Sequence, residues 1–204
     1  MMGVEDHHLR EVLEVFNQTA AGVCEGQQMD MDFETRNDVS VDEYIRMITL
    51  KTAVLIGGCL KTGALVGGAG VNNADMMYDY GIHLGIGFQL MDDLLDVYGD
   101  SDKVGKQKGG DILANKKTFL LLSARELAKG EDEQDLNRLL EEKDPAAKVE
   151  GITALYNKLK VKQLCEEKIN QYFGKAQKLL DAVEIEKGKK VPLIEFTLWL
   201  KERV

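Results

Sequence analysis

Apolar residues recur along this chain at intervals of three and four, the spacing of one helix face, and the alternation expected of half-buried strands is nearly absent. Residues 9–26 carry Leu9, Val12, Leu13, Val15, Phe16, Ala20 and Val23 on one side, which predicts a first amphipathic helix. The charged stretch 34–38 reads as a loop. Ser40 then opens a second helix: Ser40 and Glu43 have the spacing of a capping box, and Val39 and Tyr44 that of a hydrophobic staple. This helix runs to about Gly57 or further, with Ile45, Ile48, Thr49, Thr52, Leu55 and Ile56 as its buried stripe. A central helix is predicted over 74–98, with Asn72 and Asn73 as its caps. After a lysine- and glycine-rich loop at 100–110, helices are predicted over 116–127, 133–142, 146–159, 161–183 and 192–202. The only prolines are Pro145 and Pro192. The fold class is therefore all-α, in one domain without repeats. His83 falls where a core or interface role is expected, and Trp199 where a core role is.

Composition narrows the function classes. A chain of 204 residues suits one domain, which buries about 70% of its unfolded surface. Hydrophobic residues at 44% and charged residues at 30% give an ordinary soluble balance. The net charge of −9 argues against nucleic acid as a partner, since that needs a basic footprint. It leaves room for phosphate ligands, which need only a local lysine cluster. Cys24, Cys59 and Cys165 have no metal-ligand spacing and are odd in number, which predicts a reduced, cytoplasmic protein. No uninterrupted apolar run reaches the ~20 residues of a membrane span, and the longest apolar and glycine-rich stretch, 53–71, is broken by Lys61 and Thr62.

Candidate chemistry concentrates in two places. Asp92, Asp93 and Asp96 lie in an otherwise apolar helical segment, and Asp92 and Asp96, four apart, share one face. They read either as an exposed acidic patch or as a cluster neutralised by a divalent cation and by the lysines at 103, 106 and 108. Acids near a helix C-terminus oppose the macrodipole, which favours the cation. Earlier, Lys51 and Thr52 put polar groups beside an apolar stripe. The glycines at 57, 58, 63, 67, 68, 70, 81 and 85 each weaken a helix, so close packing or substrate passage is expected to account for them. Gly109 and Gly110 would let the backbone approach an anion.

The run Phe88-Gln89-Leu90-Met91-Asp92-Asp93-Leu94-Leu95-Asp96, followed by Gly105-Lys106, Gly110-Asp111 and Lys116-Lys117-Thr118, resembles the second aspartate-rich region of the trans-isoprenyl diphosphate synthases, the polyprenyl synthetases. The elements Gly26-Gln27-x-x-Asp30 and Lys51-Thr52 precede it in the family's order. The resemblance implies an isoprenoid-synthase-type helical bundle and head-to-tail prenyl transfer. In that reaction Mg²⁺ helps draw diphosphate from an allylic substrate. The double bond of isopentenyl diphosphate attacks the resulting cation, and a proton is lost. By the same resemblance Asp92 is the main metal ligand, with Asp93 and Asp96 direct or through water. Lys51, Lys106 and Lys116 hold diphosphate, Gln27 and Asp30 lie beside the allylic site, Thr52 and Gln89 present oxygen dipoles to the cation, and Phe88 walls the pocket. A homodimer is also implied.

The resemblance is to the C-terminal part of such an enzyme. An earlier aspartate-rich motif with paired arginines, and a Gly-Lys-Arg element, belong to the family pattern and are not among these residues; Asp30-Met31-Asp32 lacks the spacing. The expectation is an N-terminally incomplete synthase, inactive alone, with a non-catalytic partner subunit or stable fragment as the alternative. Terpene cyclisation shares the ionisation chemistry, but its second metal motif is of another type.

Overall fold

The computed structural model describes residues 6–99 and 109–202. Among them every regular element is helical: α1 (Asp6–Thr35), α2 (Val41–Ile48), a π-helical turn (Thr49–Ala53), α3 (Val54–Val66), α4 (Val71–Tyr98), α5 (Gly110–Leu113), α6 (Phe119–Leu127), α7 (Glu131–Leu140), α8 (Pro145–Lys158), α9 (Val161–Ala182) and α10 (Lys187–Lys201). The all-α class holds. The caps follow local chemistry: the Glu43 amide donates to Ser40 Oγ at 3.2 Å and the Ser40 amide to Glu43 Oε2 at 3.0 Å, the reciprocal pair that the spacing predicted. Asp144 caps α8 by accepting from the Ala147 amide at 2.8 Å, with Pro145 in the first turn, where its missing N–H costs nothing.

The described chain packs as two compact units, 6–31, 46–89 and 170–202 in one, and 32–45, 90–99 and 109–169 in the other. In the first unit, helices meet backbone to backbone. A Cβ added to Gly81 would lie 2.6 Å from Gly57 Cα and 2.8 Å from Gly57 N, so α4 and α3 touch without side chains between them. Val15, Leu65 and Ala74 form a buried cluster, with Val12 and Ala64 against it. The Tyr80 hydroxyl is 2.8 Å from Thr197 Oγ1, which joins α4 to α10. The ring of His83 lies 5.9 Å from that of Tyr172, and burial, followed by the charge of Lys175, lowers its pKa, with Asp79 opposing.

In the second unit α6 is buried along Phe119–Ala124, and Leu136, Ile152, Leu155, Val161 and Cys165 complete the core around the end of α4. Two cations satisfy carbonyls at the end of α1 and just beyond it, the first being one that a helix end leaves open. Lys117 Nζ donates to Glu34 O in the last turn of α1 at 3.0 Å, and Arg125 donates to Asn37 O at 3.2 Å. Burial and the neighbouring Arg125 lower the pKa of Lys117.

Several expectations change. Helix α1 runs through Gly26 to Thr35, because Gly26 is a packing position and not a stop. The second helix is broken by the π turn, whose extra residue rotates the downstream face: Ala53, Val54, Gly57 and Gly58 point inward, and Leu55 is 51% exposed. Asn72 and Asn73 lie inside α4; Asn73 instead clamps Glu184, accepting from its amide at 3.1 Å and donating to its carbonyl at 3.2 Å. Thr118 caps α6, so that helix begins at Phe119. Pro192 sits inside α10 and does not start it. Trp199 is 57% exposed and stacks on Phe196.

By length and composition the run Val41–Val66, which holds an 18-residue stretch of mean hydropathy 1.3, could cross a membrane, which counting uninterrupted residues misses. The π turn interrupts it, and Tyr44, Met47, Ile48, Ala53, Val54 and Leu65 are buried inside the protein.

The glycines of α3 and α4 separate into two kinds. Gly81→Ala should destabilise the protein by about 1–3 kcal/mol, because its Cβ meets immovable backbone. Gly63→Ala, whose Cβ would meet nothing within 4 Å, should stabilise by about 0.5–1 kcal/mol through helix propensity. Thermal and urea denaturation of the two variants checks the opposite signs.

Candidate active site

The Lys51–Thr52 pair stands in the π turn, where Gly26 lets α1 approach. An added Cβ on Gly26 would lie 2.3 Å from the Lys51 amide nitrogen and 2.7 Å from Leu50 C, so only glycine allows this contact. One helical turn on from Gly26, Asp30 accepts from Lys51 Nζ at 2.6 Å. Both side chains keep access to solvent, 36% for Lys51 and 22% for Asp30, so the pair contributes little to stability but holds the ammonium in place. The Thr52 hydroxyl donates to Gln89 Oε1 at 3.1 Å, linking the π turn to α4. Phe88 is half-buried and Gln27 is exposed on α1.

In the second unit the three aspartates have different surroundings. Asp92 and Asp96 are half-buried, whereas Asp93 is only 2% exposed and takes a hydrogen bond from the Tyr44 hydroxyl. Burial first, and then the Asp93 charge, raise the pKa of Tyr44 well above its ordinary value. Asp96 Oδ2 accepts from the Asp111 amide at 3.0 Å, and the Gly109 amide donates to Asp96 O at 2.7 Å. Gly109 holds φ +79°, a left-handed conformation suited to glycine, and an added Cβ there would press on Val149 at 2.8 Å. Gly110 leaves room for the Asp96 carboxylate, since an added Cβ there would lie 3.3 Å from Asp96 Oδ1. Lys116 Nζ lies 3.2 Å from Asp111 Oδ1, as one of a pair of opposite charges. Lys106 lies outside the described residues.

Among the described residues no three acid, histidine or cysteine side chains converge so as to hold a metal by themselves. The oxygen donors of Asp92 and Asp96 nonetheless suit Mg²⁺, a hard cation that commonly takes one or two carboxylates and completes its octahedron with water and phosphate oxygens. The fit is therefore to a metal bound together with a phosphate ligand.

The sequence pattern of the polyprenyl synthetases matches residues 2–159, which include the Lys-Thr pair and the aspartates. The chain belongs to the polyprenyl synthetase family. Helices α9 and α10 lie beyond the matched span. The chain is 41% identical over 125 residues to the geranylgeranyl diphosphate synthase of Methanosarcina mazei, covering 60% of this chain and 39% of that protein. Its fold matches a crystal structure of a geranylgeranyl pyrophosphate synthase with a TM-score of 0.90 and 39% identity, over 98% of this chain and 62% of that one. It also matches the geranylgeranyl pyrophosphate synthase of Corynebacterium glutamicum, complexed with isoprenyl diphosphate and magnesium, with a TM-score of 0.88 and 26% identity, over 99% of this chain and 58% of that one. The matched part amounts to 34–44% of the length of the curated polyprenyl synthetase relatives compared.

Three features of the site escaped sequence reasoning. The π turn had one signal, the five-residue step between buried Ile48 and Ala53. Gly26 had none beyond its place in the Gly-Gln-x-x-Asp element. Tyr44 was read only as a staple. Gly26→Ala should force α1 away from the π turn, costing about 1–3 kcal/mol or more and loosening the Lys51–Asp30 pair. Chemical denaturation, together with the crystal structure of the variant, checks both effects.

Proposed function

We propose that residues 1–204 form the C-terminal part of a polyprenyl synthetase domain that transfers a prenyl group from an allylic diphosphate to isopentenyl diphosphate. The observation that carries this reading is the family match through both the Lys51–Thr52 element and the aspartate motif. Lys51, Lys106 and Lys116 neutralise diphosphate, with Gln27 and Asp30 beside the allylic site. An incoming diphosphate must share or displace Asp30 from Lys51, which keeps the ammonium extended until ligand arrives. Thr52 commits its proton to Gln89, leaving the hydroxyl lone pairs as a dipole for a developing allylic cation. Phe88 contributes an apolar wall. Asp92 and Asp96 would hold Mg²⁺, which when bound would supply Lewis acidity toward diphosphate. The reading is tested by calorimetry with inorganic diphosphate and Mg²⁺, and by assay with labelled isopentenyl diphosphate and an allylic diphosphate. Mg²⁺-dependent diphosphate binding is expected, weakened at least about tenfold in Lys51→Ala and Asp92→Asn, as for loss of a charge-assisted contact. Unchanged affinity in both variants would rule the reading out.

Cytoplasmic residence belongs to the same proposal and is supported by the free thiols of Cys24, Cys59 and Cys165.

We also propose a homodimer. Leu9, Leu13 and Phe16 form an exposed apolar stripe on α1, at 45%, 50% and 64% exposure. Sedimentation velocity should show a dimer at micromolar concentration that Leu13→Glu and Phe16→Glu together dissociate; a monomer that persists on concentration would overturn it.

A further inference from the structure

Asp93 is the most deeply placed of the three aspartates. Leu90, Met91, Leu94 and Leu95 on the same stretch of α4 are all buried. A carboxylate there is costly unless strong donors face it. Tyr44, itself 2% exposed, supplies one from forty-nine positions earlier in the chain. Its hydroxyl stays protonated over the whole physiological range, since burial and the adjacent charge hold its pKa up. Tyr44 is in turn fixed in direction. The Ser40–Glu43 capping box sets the start of α2, and Arg36 bridges Glu43 and Asp38 at 2.8 Å each. On an α-helix one residue is a rotation of about 100°, so while Asp93 is turned inward Asp92 is turned outward along the helix surface, as its half-burial records.

We propose that Asp93 is a buried anchor and not a metal ligand, and that Tyr44 is a positioning residue which, through Asp93, sets the rotation of α4 so that Asp92 and Asp96 keep their half-exposed place. This rests on the metal reading of the preceding subsection. It differs from the assignment by resemblance, which gave all three aspartates a part in the metal site. The burial of Asp93 and its bond to Tyr44 give the first aspartate of the pair to the ligand and the second to the fold.

Two measurements on the full chain test it. The first is a double-variant cycle in thermal denaturation with Tyr44→Phe and Asp93→Asn. Tyr44→Phe leaves a buried charge short of a donor and should lower the midpoint by roughly 5 °C. Adding Asp93→Asn removes that charge and should restore part of the loss, whereas additive losses would overturn the link. Should Tyr44→Phe alone not fold, recovery of a folded protein in the pair is the same result. The second is Mn²⁺ binding in the presence of inorganic diphosphate, followed by electron paramagnetic resonance. Asp93→Asn should keep the affinity within about threefold and Asp92→Asn should weaken it more than tenfold, the sizes expected of an intact and a lost charged ligand. Equal weakening by both makes Asp93 a ligand and overturns the proposal. Unchanged binding in both instead removes the metal reading, and the denaturation cycle still decides whether Tyr44 and Asp93 are coupled.

Discussion

Charged groups set into apolar helices constrain this protein more than any other feature. A carboxylate or ammonium taken out of water costs several kcal/mol unless partners replace the lost hydration, and the partners found here are specific and local. Lys51 is met by Asp30, Asp93 by Tyr44, and Asp96 by the Asp111 amide. Each pairing ties a charged residue to an element distant in sequence, so side-chain placement and packing within each unit are specified together.

Bringing those partners within reach requires close helix contacts. In the first unit this is done by removing side chains: Gly26 accepts the backbone of Leu50 and Lys51, and Gly81 accepts that of Gly57. The π turn adds the second adjustment. One extra residue between Ile48 and Ala53 shifts the register of the inward face, so that Ala53 and Gly57 meet α4 while Lys51 remains partly exposed. In the second unit the adjustment is made by a left-handed glycine. Gly109 turns the backbone so that its own amide meets the Asp96 carbonyl and the Asp111 amide meets the Asp96 carboxylate.

The aspartate motif illustrates why residue type alone does not assign a role. Asp92 and Asp93 are adjacent and chemically identical, yet one is half-buried and the other almost fully enclosed. Helical rotation separates them, and the surroundings of each then decide whether the carboxylate faces a ligand or the interior. The same holds for Lys116 and Lys117. The first lies beside Asp111, and the second closes the end of α1 through the Glu34 carbonyl.

The candidacy of Lys51, Thr52 and Gln89 rested on the family resemblance, while periodicity, caps and spacing were enough to establish an all-helical chain, the Ser40–Glu43 start of α2 and the shared face of Asp92 and Asp96. These are properties of neighbouring residues, set by side-chain geometry along one helix, so they can be read without a fold. Tertiary structure decided what depends on distant neighbours. Gly26 is a contact and not a helix stop because Leu50 and Lys51 pack on it. Asn73 leaves its expected capping role because the Glu184 backbone is within reach. Trp199, large and apolar, is exposed and stacks on Phe196, a neighbour on its own helix. Asp93 turns inward because Tyr44 is there to receive it, and only the folded chain brings those two residues together.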